Sequence, residues 1–190
     1  LPIDVISPDF DTPWNIREDA IYSLEKGHTS YTSNSGLLAC RQEVVRYLKE
    51  RFNCRYDAEN ETLLTVGVSE GVDVTLRALL NPGDEVIIPQ PAFVCYGPLV
   101  HMAGGNVVDL DTSKTGFIPD PKALEKVITP QTKALIICSP SNPTGRVIPK
   151  SVLKEIAALA KKYDFWVISD EVYAELSFEP YTSFASLPGV

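Results

Sequence analysis

Two short polar stretches follow two apolar runs, and together they carry an amide, a carboxylate and a phenol. The run Ala134-Leu135-Ile136-Ile137-Cys138 leads into Ser139-Pro140-Ser141-Asn142-Pro143-Thr144-Gly145. The run Phe165-Trp166-Val167-Ile168-Ser169 leads into Asp170 and Glu171, with Tyr173 just beyond. A continuous apolar run of this length reads as a strand buried on both faces of a parallel sheet. Two prolines and a glycine after the first run forbid both helix and ladder, and they hold Asn142 in a rigid turn. Pro149 fits a helix start, and Val152, Leu153, Ile156, Leu159, Ala160 and Tyr163 recur at helical spacing between the two runs. Strand, helix, strand in this order makes a right-handed parallel crossover, so both strands point the same way. Asn142 and Asp170 therefore emerge at one edge of the sheet, where open α/β sheets bind ligands and where the two can share one.

The pair of motifs, Ser-Asn-Pro-Thr-Gly after one strand and Ser169-Asp170-Glu171-Val172-Tyr173 after the next, resembles the class I/II aminotransferases, pyridoxal-phosphate enzymes of fold type I. The resemblance runs from about Ile3 to Val190. It implies a three-layer α-β-α fold with a mostly parallel sheet, like the large domain of those enzymes. It also implies roles. Asn142 and Tyr173 would hydrogen-bond the cofactor's phenolate oxygen, and Asp170 would pair with its ring nitrogen. A carboxylate there keeps the nitrogen protonated and the ring an electron sink, while a neutral amide and a phenol steer the oxygen without cancelling that effect.

Further stretches extend the resemblance. Tyr31-Thr32-Ser33-Asn34-Ser35-Gly36 followed by Arg41-Gln42-Glu43 resembles a family signature. Its tyrosine reaches the cofactor phosphate of a neighbouring subunit, so Tyr31 implies a homodimer. Cys40 stands where the family usually has leucine. Thr62-Leu63-Leu64-Thr65-Val66 is a β-type run, and Gly67 turns it into a helix carrying Val68, Val72, Leu76 and Leu79 on one side. A helix N-terminus offers free amides and a positive dipole end to an anion. This one resembles the family's phosphate cup, with Val68, Ser69 and Glu70 at its rim. Ser69 could add a hydroxyl; Glu70 should contribute its amide and turn its carboxylate away. After Gln90-Pro91-Ala92, Phe93 matches the aromatic that stacks on the cofactor ring. Tyr96 and Tyr163 are read as packing residues, and His28 and His101 as surface or packing residues.

Elsewhere the elements follow ordinary signals. Asn15 to Lys26 reads as a helix with Ile16, Ala20, Ile21 and Leu24 on one stripe, stopped by Gly27. A second helix runs from about Leu37 to Phe52, with Val44, Val45, Leu48 and Phe52 as its apolar face. Glu85–Ile88 and Asn106–Leu110 read as strands around a short helix ending at Gly104-Gly105. Asp120 caps a helix containing Leu124 and Val127. Residues 1–35 form an N-terminal arm and helix in this reading, and residues 36–190 an incomplete cofactor domain. Within the arm, Val5-Ile6-Ser7 abuts Pro8 where the family has a short glycine-containing stretch, which suggests residues missing from that junction.

Composition bounds the rest. The 190 residues are 44% hydrophobic and 22% charged, ordinary for a globular core. A net charge of −8 argues against a nucleic-acid partner. The apolar runs are too short to span a bilayer, and no basic-then-apolar leader precedes Ile3. The four cysteines, Cys40, Cys54, Cys95 and Cys138, have no metal or redox spacing and fit a reduced, cytoplasmic setting, Cys138 as a small hydrophobe.

The leading function is therefore a pyridoxal 5'-phosphate-dependent transfer of an amino group from an amino acid to a 2-oxo acid. The family's lysine, which holds the cofactor as a Schiff base and moves the substrate proton, lies after a further strand in a Ser-x-Ser-Lys-like motif. No lysine here has that context, so no catalytic residue is assigned. The substrate-carboxylate arginine lies later still. These absences suggest part of a longer chain, in which missing strands sit between Thr62–Val66 and the last strand here. Carbon–sulfur lyases and cyclopropane-carboxylate synthases share the fold, although Thr144-Gly145 and Val172-Tyr173 suit an aminotransferase better. A non-catalytic, cofactor-binding regulatory module and a bare structural domain stay open. Aromatic, acidic and branched substrates stay open too.

Overall fold

Alternation along two central strands decides the architecture. In β1 (Glu85–Gln90), Val86 and Ile88 turn to one face and Ile87 to the other; in β3 (Thr132–Cys138), Ala134 and Ile136 oppose Leu135 and Ile137. All seven are buried, so both faces of the sheet need cover. The structure is a computed structural model that describes residues 11–190. With β2 (Asn106–Asp111) and β4 (Trp166–Asp170) the sheet has the order β2-β1-β3-β4, and all its pairs are parallel.

Helices supply the cover. One core gathers Val72, Leu76, Tyr96 and Val100 from α3 (Gly67–Leu79) and α4 (Tyr96–Met102) over Val86, Ile88, Ala134 and Ile136. The other gathers Leu124, Leu153, Ile156 and Leu159 from α5 (Pro121–Val127) and α6 (Lys150–Tyr163) over Ile87, Leu135 and Ile137. The result is the three-layer α-β-α arrangement expected. Asp120 caps α5 by accepting from the Lys122 amide at 3.1 Å. Pro149 sits at the cap of α6, one residue before the helix begins.

Residues through Asn34 form one unit and Ser35–Val190 another. The first contains α1 (Trp14–Glu25), after which Gly27 turns the chain with φ +77°. The stripe read as its apolar face is exposed at Ile16, Ile21 and Leu24, because no residue of α1 is buried. The second unit opens with α2 (Leu38–Phe52), whose Val44, Val45, Leu48 and Phe52 are half-buried. The Ser7–Pro8 junction and most of the arm that precedes the first helix lie outside the described residues.

Thr62–Val66 corrects the sequence reading. It is not a strand and pairs with none of the four. The Leu64 amide instead donates to the Ser35 carbonyl at 3.1 Å, and Leu64 packs so close to Gly36 that a Cβ there would lie 2.7 Å from it. A β-type sequence becomes a strand only where another strand meets its backbone groups.

A charged clasp fastens α2 to the chain after β4. Glu175 accepts from Tyr47 at 2.8 Å and from Arg51 at 2.8 and 2.7 Å. The Arg51 hydrogen bonds, then Tyr47, hold the Glu175 carboxyl down at about 2, below its ordinary 4.5. A carboxyl depressed on folding stabilises above its ordinary pKa and loses that contribution as pH falls through its folded one. Glu175→Gln should thus lower the melting temperature slightly at pH 7, with the gap to wild type closing below pH 4.5 and shrinking in high salt. Melts across pH check this; a gap independent of pH would assign the effect to packing. In the core, Leu135→Ala should cost about 3 kcal/mol, from lost burial plus the cavity left at a fully enclosed site. Chemical denaturation measures it, and a loss below about 1 kcal/mol would contradict the packing described.

Candidate cofactor site

Strand order creates the crevice. From β1 the chain moves outward to β2 on one side, then returns to β3 and β4 on the other. At such a reversal the loops leaving neighbouring strands diverge and leave an opening at the strands' carboxyl ends. A cavity of about 170 Å³ lies there, lined by Val68, Ser69, Phe93, Tyr96, Cys138, Asn142, Asp170, Val172 and Tyr173. Six of the residues singled out in the sequence therefore converge on one cavity: Asn142, Asp170, Tyr173, Phe93, Val68 and Ser69.

Each is placed by a local device. The ladder between β3 and β4 runs to its last residues: Cys138 is level with Asp170, and the Ser139 amide donates to the Asp170 carbonyl at 3.0 Å. The turn carrying Asn142 is closed by the Ser141 amide on Arg146 O at 2.9 Å and by the Gly145 amide on Ser141 O at 2.7 Å. Gly145 adopts φ +67°, which a side chain would resist. The peptides before Pro140 and Pro143 are cis. Behind the turn, the buried Ser139 hydroxyl accepts from the Ile148 amide at 3.0 Å, and Arg146 donates to Gly116 O at 3.0 Å.

Asp170 is 7% exposed and both its oxygens are engaged. Oδ1 accepts from the Val172 amide at 3.1 Å, and Oδ2 accepts from the Tyr96 hydroxyl at 2.5 Å. Its neighbour Glu171 is committed elsewhere, accepting from Ser169 at 2.8 Å, Ser183 at 3.1 Å and the Phe184 amide at 3.0 Å. One carboxylate thus serves the cavity, while the next anchors the segment around Phe184.

Tyr96 corrects its assignment as a packing residue only. It is buried within the core, yet its hydroxyl meets the cavity's carboxylate. Burial, then the hydrogen bond to Asp170, drives its phenol well above the ordinary range, so it remains a donor. Burial likewise pushes the Cys138 thiol up, and its Sγ donates to Pro140 O at 3.2 Å. That suits its reading as a small hydrophobe. Phe93 meets Tyr96 edge to face at 5.6 Å, and both rings line the cavity.

The third side is the start of α3. Helix geometry leaves its first amides without carbonyl partners one turn back. Val68 and Ser69 border the cavity, whereas the Glu70 carboxylate bonds back to the Val66 amide and is not in the lining. The placement of Glu70 matches the expectation that its side chain turns away. Tyr31 is fully exposed, belongs to the first unit and is not among the lining residues. His28 and His101 make only local bonds, to Ser23 and to Gly105 O. Among the described residues no group of acids, histidines or cysteines could hold a metal, and no helix is long and apolar enough to cross a membrane.

The donor set suits one kind of ligand. A buried carboxyl group, a helix N-terminus and an aromatic ring lining one cavity match a molecule with a cationic nitrogen, an anion and a flat ring. Pyridoxal phosphate has these three parts, so the residues present fit the group the motifs imply.

Comparison with known proteins agrees with this geometry. The family profile of aminotransferase class I and II matches residues 7–190. The Bacillus subtilis protein YugH is 50% identical over 192 residues, which span 100% of this chain and 50% of YugH. An aspartate/prephenate aminotransferase of Thermus thermophilus is 42% identical, with 90% of this chain and 45% of its own covered. The crystal structure of an aromatic aminotransferase from Pyrococcus horikoshii superposes with a TM-score of 0.93 at 42% identity, over 96% of this chain and 50% of that one. The chain spans about half the length of the curated relatives it matches. Motifs, sheet topology and matches agree, and the chain belongs to the class I and II aminotransferase family.

Proposed function

We propose that these residues form the cofactor-holding part of a pyridoxal-phosphate-dependent aminotransferase, which moves an amino group from an amino acid to a 2-oxo acid. The observation that carries the reading is the convergence of Asp170, Asn142, Tyr173, Phe93 and the start of α3 on one cavity. When bound, the cofactor supplies an electron-withdrawing ring that stabilises negative charge at a substrate carbon.

The protein's part is placement. Asp170 would face the ring nitrogen and hydrogen-bond it, its carboxylate held in place by the Val172 amide and the Tyr96 hydroxyl. Asn142 and Tyr173 donate to the ring oxygen. Phe93 presents a flat apolar face and keeps water from it. The amides of Val68, Ser69 and Glu70, with the Ser69 hydroxyl, hold the phosphate at the positive end of α3.

The lysine and the substrate-carboxylate arginine belong, in this reading, to the half of the relatives' length that these residues do not span. We also propose a homodimer in which the exposed Tyr31 contributes its hydroxyl to the neighbouring subunit's phosphate. The four free cysteines fit a reducing compartment, and we place the protein in the cytoplasm. The names of relatives point to acidic and aromatic amino acids as the first donors to try.

The test uses the full-length protein. It should take up pyridoxal phosphate with a new absorption band and convert L-aspartate or an aromatic amino acid to its 2-oxo acid, stoichiometrically until a second 2-oxo acid is added. Asp170→Ala should weaken cofactor binding by about 100-fold or more, since it removes a buried charged partner. Failure of the wild type to bind the cofactor, or an Asp170→Ala variant that binds as well as wild type, would sink the reading. Release of a thiol, ammonia and a 2-oxo acid from a β-thio amino acid, with no acceptor added, would reassign the chemistry to a carbon–sulfur lyase.

A further inference from the structure

The cavity's carboxylate does not stand alone: its inner oxygen is held from a different layer of the fold. Asp170 ends β4, whereas Tyr96 opens α4 after the loop from β1, 74 residues earlier. Tyr96 is 2% exposed, so its ring is locked among Val72, Leu76, Val86 and Ala134 and its hydroxyl has little freedom. The contact of 2.5 Å is short, as a hydroxyl donating to an ionised carboxylate should be. With Oδ1 fixed by the Val172 amide and Oδ2 by Tyr96, the carboxylate plane cannot turn. Tyr96 also touches Phe93, the ring that faces the same cavity.

We propose, resting on the cofactor reading above, that Tyr96 is a positioning residue: its hydroxyl fixes the orientation of the Asp170 carboxylate toward a ligand's cationic ring nitrogen, and so sets how tightly pyridoxal phosphate is held. It acts through Asp170 and needs no contact with the cofactor. A residue acting through a buried charged hydrogen bond should have an effect that vanishes when its partner is removed. Packing of the ring gives no such dependence.

The experiment is a double-mutant cycle on the dissociation constant of pyridoxal phosphate, in the full-length protein, with Tyr96→Phe and Asp170→Ala alone and combined. Phenylalanine keeps the ring and its contact with Phe93. Tyr96→Phe should weaken binding about 10-fold, the size of a charged hydrogen bond. In the Asp170→Ala background the same change should alter binding less than about 2-fold. An unchanged constant for Tyr96→Phe, or an equal loss in both backgrounds, overturns the proposal. Should Tyr96→Phe lose its cooperative melt, Tyr96→Met is carried through the same cycle; loss of folding in both assigns Tyr96 to the core and also overturns it. Wild-type protein that does not bind the cofactor, or binding insensitive to Asp170→Ala, fails the cofactor reading itself and is seen separately in the first arm of the cycle.

Discussion

The register between β3 and β4 is the constraint on which the site rests. Cys138 lies level with Asp170, and the ladder continues one step further through the Ser139 amide. Both strands thus end at the same height, and the chain leaving each is delivered to the same crevice. Side chains alternate along a strand, so a slip of one residue would take Asp170 out of its place in the cavity and Glu171 out of its own. Tyr96 and the Val172 amide would lose their acceptor, and Ser169, Ser183 and the Phe184 amide would lose the one they share. The register is held by burial of Ala134 and Ile136 on one face and Leu135 and Ile137 on the other, which admits no exchange of faces without opening both cores.

Electrostatics at the crevice is local rather than global. The chain carries a net charge of −8, yet one wall of the cavity is the positive end of a helix of 13 residues. Glu70, in the first turn, would oppose an anion there if it faced inward; its bond to the Val66 amide turns it aside. The lining also holds the buried carboxyl of Asp170, which accepts from two donors, one from backbone and one from a phenol. Such a group is costly when unpaired, so its donors are part of the site.

Much of this was legible in the sequence because it is local. The apolar runs before Ser139 and Asp170, the helical spacing between them and the Pro-Gly punctuation each report on their own backbone, and the crossover rule does the rest. Tyr96 escaped for the opposite reason. An aromatic in an apolar stretch satisfies a core reading completely, and only the fold shows that its hydroxyl has a partner 74 residues away. Thr62–Val66 misled because β-propensity describes how side chains fit a pleated surface, while strand formation requires a neighbour. The stripe on α1 states which face wants cover and nothing about what covers it.

The two aromatic residues after β1 show how the layers are joined. Phe93 and Tyr96 are three residues apart and meet edge to face, and both line the cavity, Phe93 half-buried and Tyr96 enclosed in the core. A ring packed on the core cannot move without disturbing Leu76 and Val100, which are themselves fully enclosed. Rigidity generated by apolar packing on one face of the sheet is thereby handed to a polar group at its edge. A carboxylate held only by loop atoms would share the loop's motion. Held by a core tyrosine, it takes its position from the interior of the protein, as a group that must be presented to a ligand in one orientation requires.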